Sequence, residues 1–191
     1  MSTTATPPPV GVPYVPSSAQ PVTEWSAAIF QEFQDWPIAQ SGKWEWWNQD
    51  YLVLRIESHL GAVSEEVLID TCDDELTVAF GYWETHLPYD GIYDDTDSSR
   101  AANAAKALVG DWLTGETATA IYFSADGKWC GSKHLDNPDD ISGLADIAWI
   151  ESFNPTRVEV RKARKADWRF FDIIDGTLQD APRQRENAPK P

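Results

Sequence analysis

The chain has 191 residues, of which 42% are hydrophobic and 12% aromatic, so it can bury the core of one ordinary domain. Its formal net charge is −16: residues 1–156 hold 25 acidic and 6 basic residues, a net of −19, whereas residues 157–191 carry +3. The acidic body formed by residues 1–156 is expected to repel nucleic acids and anionic membranes, because both bind positively charged surfaces. A basic protein surface is the partner that it would attract.

No run of apolar residues approaches the length needed to span a bilayer, and the N-terminus lacks the basic region and apolar run of a signal peptide. We therefore expect a cytoplasmic protein. Cys72 and Cys130 cannot make a disulfide framework and have no metal-ligand spacing. They are expected to be ordinary buried thiols, and the sequence predicts no cofactor.

Residues 1–22 contain six prolines and no charged side chain, which predicts an extended or disordered proline-rich tail. A single domain is expected over residues 23–175. After Asp175-Gly176 the chain is polar and contains proline, so residues 176–191 are predicted to be a flexible C-terminal tail.

Two main helices are predicted. The first begins at Thr23, whose hydroxyl can cap the first turn, and it ends at Pro37. The second runs from Ser98 or Ser99 to about Leu113, and Gly115 is placed to end it. The apolar positions with helical spacing are Trp25, Ile29, Phe33 and Trp36 in the first helix and Ala101, Ala105, Leu108 and Trp112 in the second.

Strands are predicted from alternating patterns. The runs at residues 52–57, 67–71 and 76–82 are typical of an antiparallel meander. Asp126-Gly127 predicts a hairpin between the runs 117–123 and 128–132. Further strands are expected at residues 147–153, 157–162 and 168–174. The predicted fold is α+β, with an antiparallel sheet of about six to eight strands and two main helices packed on one of its faces.

An acidic segment rich in aromatic residues connects the third strand to the second helix. Acidic residues steer a basic partner, and aromatic residues supply contact area at low entropic cost. A calcium loop starting at Asp95 is not favoured, because Arg100 stands where such a loop needs glycine and Lys106 where it needs glutamate. The predicted partner-binding residues are Trp83, Glu84, Tyr89, Asp90, Tyr93, Asp94, Asp95 and Asp97.

Glu84 and His86 are two residues apart on an extended segment, so both point to one face and could bind a metal or share a proton. Zinc catalysis normally needs a third protein ligand, and the sequence does not place His59 or His134 beside His86. A histidine hydrogen-bonded to near neighbours is the more common outcome, and no metal site is predicted.

Two further patterns have structural explanations. Trp44 and Trp46 share a strand face from which Trp47 points away, which favours packing, although an aromatic platform for sugars stays open. The basic residues near the C-terminus are expected to pair with acids of the body; they are Arg157, Arg161, Lys162, Arg164, Lys165 and Arg169.

The segment from Glu75 to His86 carries the pattern E-x-T-V-x-F-G-x-W-x-x-H. It resembles a strand of small uncharacterised bacterial domains, some of them similar to immunity proteins found beside secreted toxins. The chain departs from that pattern at Glu84, where those domains tend to have histidine. Gly127–Ser132 and Val158–Arg161 are also similar in position to elements of such domains. The resemblance spans about residues 45–172 and implies an immunity-type or otherwise unassigned role. The matching positions are Glu75, Thr77, Val78, Phe80, Gly81, Trp83 and His86.

The motifs G-x-S-x-G, H-E-x-x-H and C-x-x-C are absent, so the sequence favours a binding protein over an enzyme and names no catalytic residue. The leading hypothesis is an acidic immunity-type inhibitor that occludes a basic toxin or nuclease. The alternatives are a nucleic-acid-mimicking inhibitor of a defence or repair protein and a metal-dependent enzyme centred on Glu84 and His86.

Overall fold

The computed structural model describes residues 11–16, 21–47, 50–56, 65–87 and 97–182. In these residues helices and strands occur together, and every strand pair is antiparallel, so the predicted α+β class is confirmed. The chain divides into two compact units: unit 1 comprises Met1–Glu57 and Glu66–Leu108, and unit 2 comprises Ser58–Glu65 and Val109–Pro191. The predicted domain of residues 23–175 spans both.

Unit 1 contains a sheet whose described strands pair in chain order. Its middle strands alternate as predicted, because Val67 and Ile69 on one strand and Val78 on the next are fully buried. Asp70 and Thr77 pair directly on the opposite, polar face. The strands are β1 (Val12–Pro13), β2 (Lys43–Trp47), β3 (Tyr51–Ile56), β4 (Val67–Asp70), β5 (Leu76–Phe80) and β6 (Trp83–Leu87).

Helix α1 (Glu24–Phe33) begins where predicted, since the Thr23 hydroxyl accepts a hydrogen bond from the Ser26 N–H at 3.0 Å. Pro37 does not end this helix but begins the short helix α2 (Pro37–Gln40), where its missing N–H is not needed. The buried face of α1 contacts β3.

Helix α3 (Ser98–Thr114) also has the predicted bounds. Asp97 caps it, because its carboxylate accepts a hydrogen bond from the Arg100 N–H at 3.1 Å. Gly115 ends it with a φ of +80°, which glycine adopts without strain. The packing of both main helices on one face stays a prediction.

Unit 2 contains a second sheet in the order β11-β10-β9-β7-β8. Its core includes Tyr122, Leu144, Val158 and Phe171, and the Tyr122 hydroxyl donates to the Leu144 carbonyl at 3.2 Å. Burial raises the pKa of Tyr122 to about 12. The strands are β7 (Ala118–Ser124), β8 (Trp129–Leu135), β9 (Pro155–Arg161), β10 (Arg169–Ile174) and β11 (Thr177–Asp180).

The strands therefore form two sheets, of six and five strands in the described residues, where one sheet of six to eight was predicted. Alternation identifies a strand but does not say which other strand it pairs with. The long helix α3 separates the two groups of strands along the chain, and each group pairs within itself.

The prediction of a strand at residues 147–153 is wrong. Ala148–Phe153 forms a 3₁₀ helix, with the Ile150 N–H donating to the Ile147 carbonyl at 2.9 Å. Asn154, with a φ of 50°, ends it. The segment lacks the period-two alternation of a strand, since Ile147 to Ile150 are four apolar residues in a row.

The C-terminal tail also begins later than predicted, because Thr177–Asp180 forms β11. Asp175 and Gly176 both have positive φ, at 49° and 71°, and connect the directly paired residues Ile174 and Thr177. Two successive left-handed residues make the favoured two-residue hairpin turn. Most of the predicted N-terminal tail lies outside the described residues, but Val12 and Pro13 pair with Trp46 and Glu45.

Candidate functional site

The polar face of the unit 1 sheet carries a group of carboxylates that we call the acidic cluster: Asp70, Asp73 and Glu84. Asp70 ends β4, Asp73 lies in the connection to β5, and Glu84 is exposed on β6. The Asp70 carboxylate accepts a hydrogen bond from the Cys72 N–H at 2.7 Å. Adjacent antiparallel strands thus bring together acids that are up to fourteen positions apart in sequence.

The charges of Asp73 and Glu84 act on Asp70. Burial raises the pKa of Asp70; the Cys72 N–H opposes that rise, and the negative charges of Asp73 and Glu84 add to it. Burial followed by the charge of Asp73 likewise raises the pKa of the Cys72 thiol. That thiol is therefore less acidic than a free cysteine and is a poor nucleophile at neutral pH.

The connection between β4 and β5 depends on its aspartates. Asp73 and Asp74 have φ angles of 55° and 58°, in the left-handed region that aspartate tolerates better than most residues. Both side chains are exposed. The same two residues therefore adopt the left-handed φ angles that the turn requires and add negative charge at this end of the sheet.

Two carboxylates elsewhere on the polar face, Glu45 and Glu66, are compensated. Arg55 on β3 forms ion pairs with Glu45 at 3.3 Å and with Glu66. The hydrogen bond with Glu66 is the largest cause of the raised pKa of Arg55. Within the part of the chain that the structure describes, none of the three members of the acidic cluster forms such an ion pair. Negative charge is thus left uncompensated at the β4–β6 end.

The predicted partner-binding residues have different positions. Glu84 and Asp97 are exposed, and Asp97 also caps α3. Trp83 is only 7% exposed and stacks on Phe80 with ring centroids 5.5 Å apart, so it lies in the core of unit 1 and not on its surface. The remaining predicted contacts lie outside the described residues: Tyr89, Asp90, Tyr93, Asp94 and Asp95.

His86 is held by its neighbours. Its Nδ1 lies 2.9 Å from a carboxylate oxygen of Glu75 and 3.0 Å from the Thr77 hydroxyl on the adjacent strand. His134 similarly lies 3.2 Å from Asp136, and His59 is outside the described residues. No group of three or more possible metal ligands occurs in the described ranges.

The tryptophan residues of β2 divide between its faces as predicted. Trp44 packs edge-to-face on Phe30 and Phe33, at centroid distances of 5.1 and 6.2 Å. Trp46 donates from its indole to the Pro21 carbonyl at 2.8 Å, whereas Trp47 on the opposite face donates to Glu45 at 3.0 Å.

The C-terminal basic residues include two that pair internally. Arg161 forms ion pairs with Glu65 and, at 2.8 Å, with Glu159; Arg157 lies 3.3 Å from Glu159. All of these residues belong to unit 2. Internal charge pairing, which was predicted for this basic segment, is therefore confirmed for these two arginines.

Comparison of the chain with protein-family models, curated proteins and solved structures finds no match. The resemblance of Glu75–His86 to immunity-like domains stays a prediction. In the described residues no helix is both long enough and apolar enough to cross a bilayer.

Asp70→Asn is expected to raise the free energy of unfolding at neutral pH. Asparagine keeps an oxygen for the Cys72 N–H but removes a partly buried charge beside two other carboxylates. The folded-state pKa of Asp70 is raised above 3.8. The contribution of its protonated carboxyl group to the free energy of unfolding is therefore present below pH 3.8 and is lost as the pH rises through the folded value. The advantage of the variant should therefore disappear in acid. Urea unfolding between acid and neutral pH measures it.

Asp126→Asn is the control with the opposite sign. Hydrogen bonds from Lys128 and Ser124 lower the pKa of Asp126 to about 2. Its contribution is present above pH 3.8 and is lost as the pH falls toward 2, so this variant should be slightly less stable at neutral pH. If Asp70→Asn were less stable than the unmodified protein at neutral pH, the conclusion that the charged form of Asp70 destabilises the fold would be contradicted.

Proposed function

We propose that the protein is an acidic binding protein that neutralises a basic protein partner, as an immunity-type inhibitor of a toxin or nuclease does. The observation that carries the proposal is the uncompensated acidic cluster on the polar face of unit 1. Glu45 and Glu66, by contrast, are paired with Arg55, so uncompensated negative charge is found at the β4–β6 end of the sheet.

The position of the cluster supports the proposal further. Glu84 lies on β6, the last strand of its sheet in the described residues. The segment that follows β6 contributes Asp90, Asp94 and Asp95 to the same stretch of chain. Clustered negative charge raises the rate of encounter with a basic surface and disfavours acidic partners. The inhibitor would then act by covering the partner's active cleft.

Affinity capture with the full chain from its own host, at low ionic strength, tests the proposal. A basic toxin or nuclease in the bound fraction is the expected result. A basic DNA-binding defence or repair protein would favour the nucleic-acid-mimic alternative instead. Recovery of acidic proteins alone, or release of nothing by salt, would contradict the proposal.

Neutralising the cluster should slow association with the captured partner on the order of tenfold at low salt. Two triple variants each remove three charges: D70N/D73N/E84Q in the cluster and D90N/D94N/D95N in the following segment. Asp97 stays unchanged because it caps α3. Stopped-flow measurement over a range of salt concentrations gives the rates.

The matched control is E116Q/D139N/D167N, which removes the same charge from exposed positions of unit 2. It should slow association much less, and all differences should shrink at high salt. If this control slowed association as much as the other two variants, only net charge would matter and the mapping to unit 1 would fail.

A further inference from the structure

Unit 1 also contains an aromatic cavity that the proposed function does not use. It has a volume of about 250 Å³. Helix α1, helix α2, the start of β2 and the residue after β1 all contribute to it. The Tyr14 N–H donates to the Trp44 carbonyl at 2.9 Å, which joins the residue after β1 to β2. The residues that line it are Tyr14, Phe30, Phe33, Gln34, Ala39, Gln40, Gly42 and Trp44.

Aromatic rings form the inner wall of this cavity. Phe30 lies between Tyr14 and Trp44, at centroid distances of 5.2 and 5.1 Å and interplanar angles of 84° and 70°. Phe30 and Phe33 are buried, whereas Tyr14 and Trp44 are half-buried. Edge-to-face packing fixes the orientation of each ring, so the wall is preorganised. Tyr14 and Trp44 therefore keep part of their surface accessible.

Two amide side chains supply the polar groups. Gln40 donates to the Gln34 carbonyl at 3.1 Å, and Gln34 donates to the Phe30 carbonyl at 3.4 Å. Each amide has a second N–H and an oxygen with two lone pairs, so these bonds leave one donor and one acceptor per side chain. Both residues are exposed, and their remaining groups can serve a ligand.

The lining offers no ion pair to a ligand. None of the described residues that line the cavity has a charged side chain, which favours a neutral ligand over an anion. The aromatic rings could attract a cation, so a cationic probe is the discriminating control. Pockets for drug-sized ligands hold roughly 300–1,000 Å³. The smaller cavity here fits a ligand of about one ring.

We propose that this cavity binds a neutral, hydroxyl-bearing ring of the monosaccharide class. The apolar C–H face of such a ring stacks on Tyr14 and Trp44, and its hydroxyl groups exchange hydrogen bonds with Gln34 and Gln40. Aromatic surface combined with a few polar groups is the usual composition of a small-molecule site. This assignment is independent of the acidic cluster, so either can fail without the other.

The test uses the full chain with glucose, galactose, mannose and N-acetylglucosamine as probes, and tetramethylammonium as a cationic probe. Saturation-transfer NMR detects binding with a Kd on the order of 1 mM, which a single-ring ligand gives. At least one sugar should receive saturation and tetramethylammonium should not. Gln34→Ala and Gln40→Ala should each raise the Kd for that sugar about fivefold, which corresponds to the loss of one neutral hydrogen bond.

Gln31→Ala is the matched control, because Gln31 is exposed on the same helix and does not line the cavity. It should leave sugar affinity unchanged. Saturation of tetramethylammonium without any sugar would overturn the ligand class, and saturation of none of the probes would overturn the site. An equal loss of sugar affinity in all three glutamine variants would also overturn it, because the loss would not depend on residues that line the cavity.

Discussion

Arg161→Met is expected to lower the free energy of unfolding by about 3–5 kcal/mol, the cost of leaving a buried charge without its partner. The side chain of Arg161 is 10% exposed, and its guanidinium contacts both Glu65 and Glu159. The same group lies 4.4 Å from the centroid of Trp168, where it gains a cation–π contact. Methionine replaces the stem but none of these polar interactions.

The loss should shrink in acid. Burial raises the pKa of Glu65, and the positive charge of Arg161 opposes that rise. A carboxylate with a raised folded pKa contributes stability below its unfolded value, 4.5, and loses it as the pH rises. Without Arg161, protonated Glu65 needs no counter-ion, so urea unfolding at acid pH should show a smaller deficit than at neutral pH.

Arg164→Met is the control, because Arg164 is exposed in the same segment. It should change stability by less than about 0.5 kcal/mol. Adding Glu65→Gln to Arg161→Met should restore part of the loss by removing one uncompensated charge. If Arg161→Met cost no more than the control, the buried ion pairs of unit 2 would not stabilise it.

Local signals in the sequence identified the helices and the hairpin whose ends are marked by capping or turn residues. Thr23 indicated the start of α1, and Gly115 indicated the end of α3. Asp126-Gly127 predicted the β7–β8 hairpin, where Gly127 has a φ of 78°. These features depend on a few neighbouring residues, and a single sequence contains all of that information.

Features that depend on strand register were not predictable in the same way. The acidic cluster combines residues of β4, its following turn and β6, and only the pairing of Asp70 with Thr77 and of Thr77 with His86 brings these strands into order. The cavity depends on Tyr14 pairing beside Trp44, although Tyr14 comes from a proline-rich segment that predicts no sheet contact. Five of the predicted contact residues lie outside the described residues.

Thr71→Val is expected to lower the free energy of unfolding by about 2–6 kcal/mol, although valine has nearly the same volume. β4 ends at Asp70, and the side-chain hydroxyl of the next residue, Thr71, bonds to the backbone of β3. It accepts from the Leu52 N–H at 3.0 Å and donates to the Leu52 carbonyl at 2.8 Å. It also lies 2.6 Å from the Ser26 hydroxyl on α1.

Every group in this network has a partner. The Thr23 hydroxyl donates to the Ser26 hydroxyl at 3.0 Å, so the Ser26 proton is left to donate to Thr71. Thr71 is 1% exposed and Ser26 is fully buried, so water cannot replace a lost partner. Valine would leave the Leu52 N–H and the Ser26 O–H each without an acceptor, at about 1–3 kcal/mol per group.

Urea unfolding of Thr71→Val, Ser26→Ala and the double variant separates these contributions. The double variant should cost less than the sum of the single variants, because removing both hydroxyls leaves no orphaned donor between them. Thr177→Val is the control: its exposed hydroxyl donates to the Ile174 carbonyl at 2.7 Å, and its loss should cost about 0.5 kcal/mol or less. Equal costs at positions 71 and 177 would mean that the hydroxyl network does not join α1 to the sheet of unit 1, and that apolar packing alone fixes that helix.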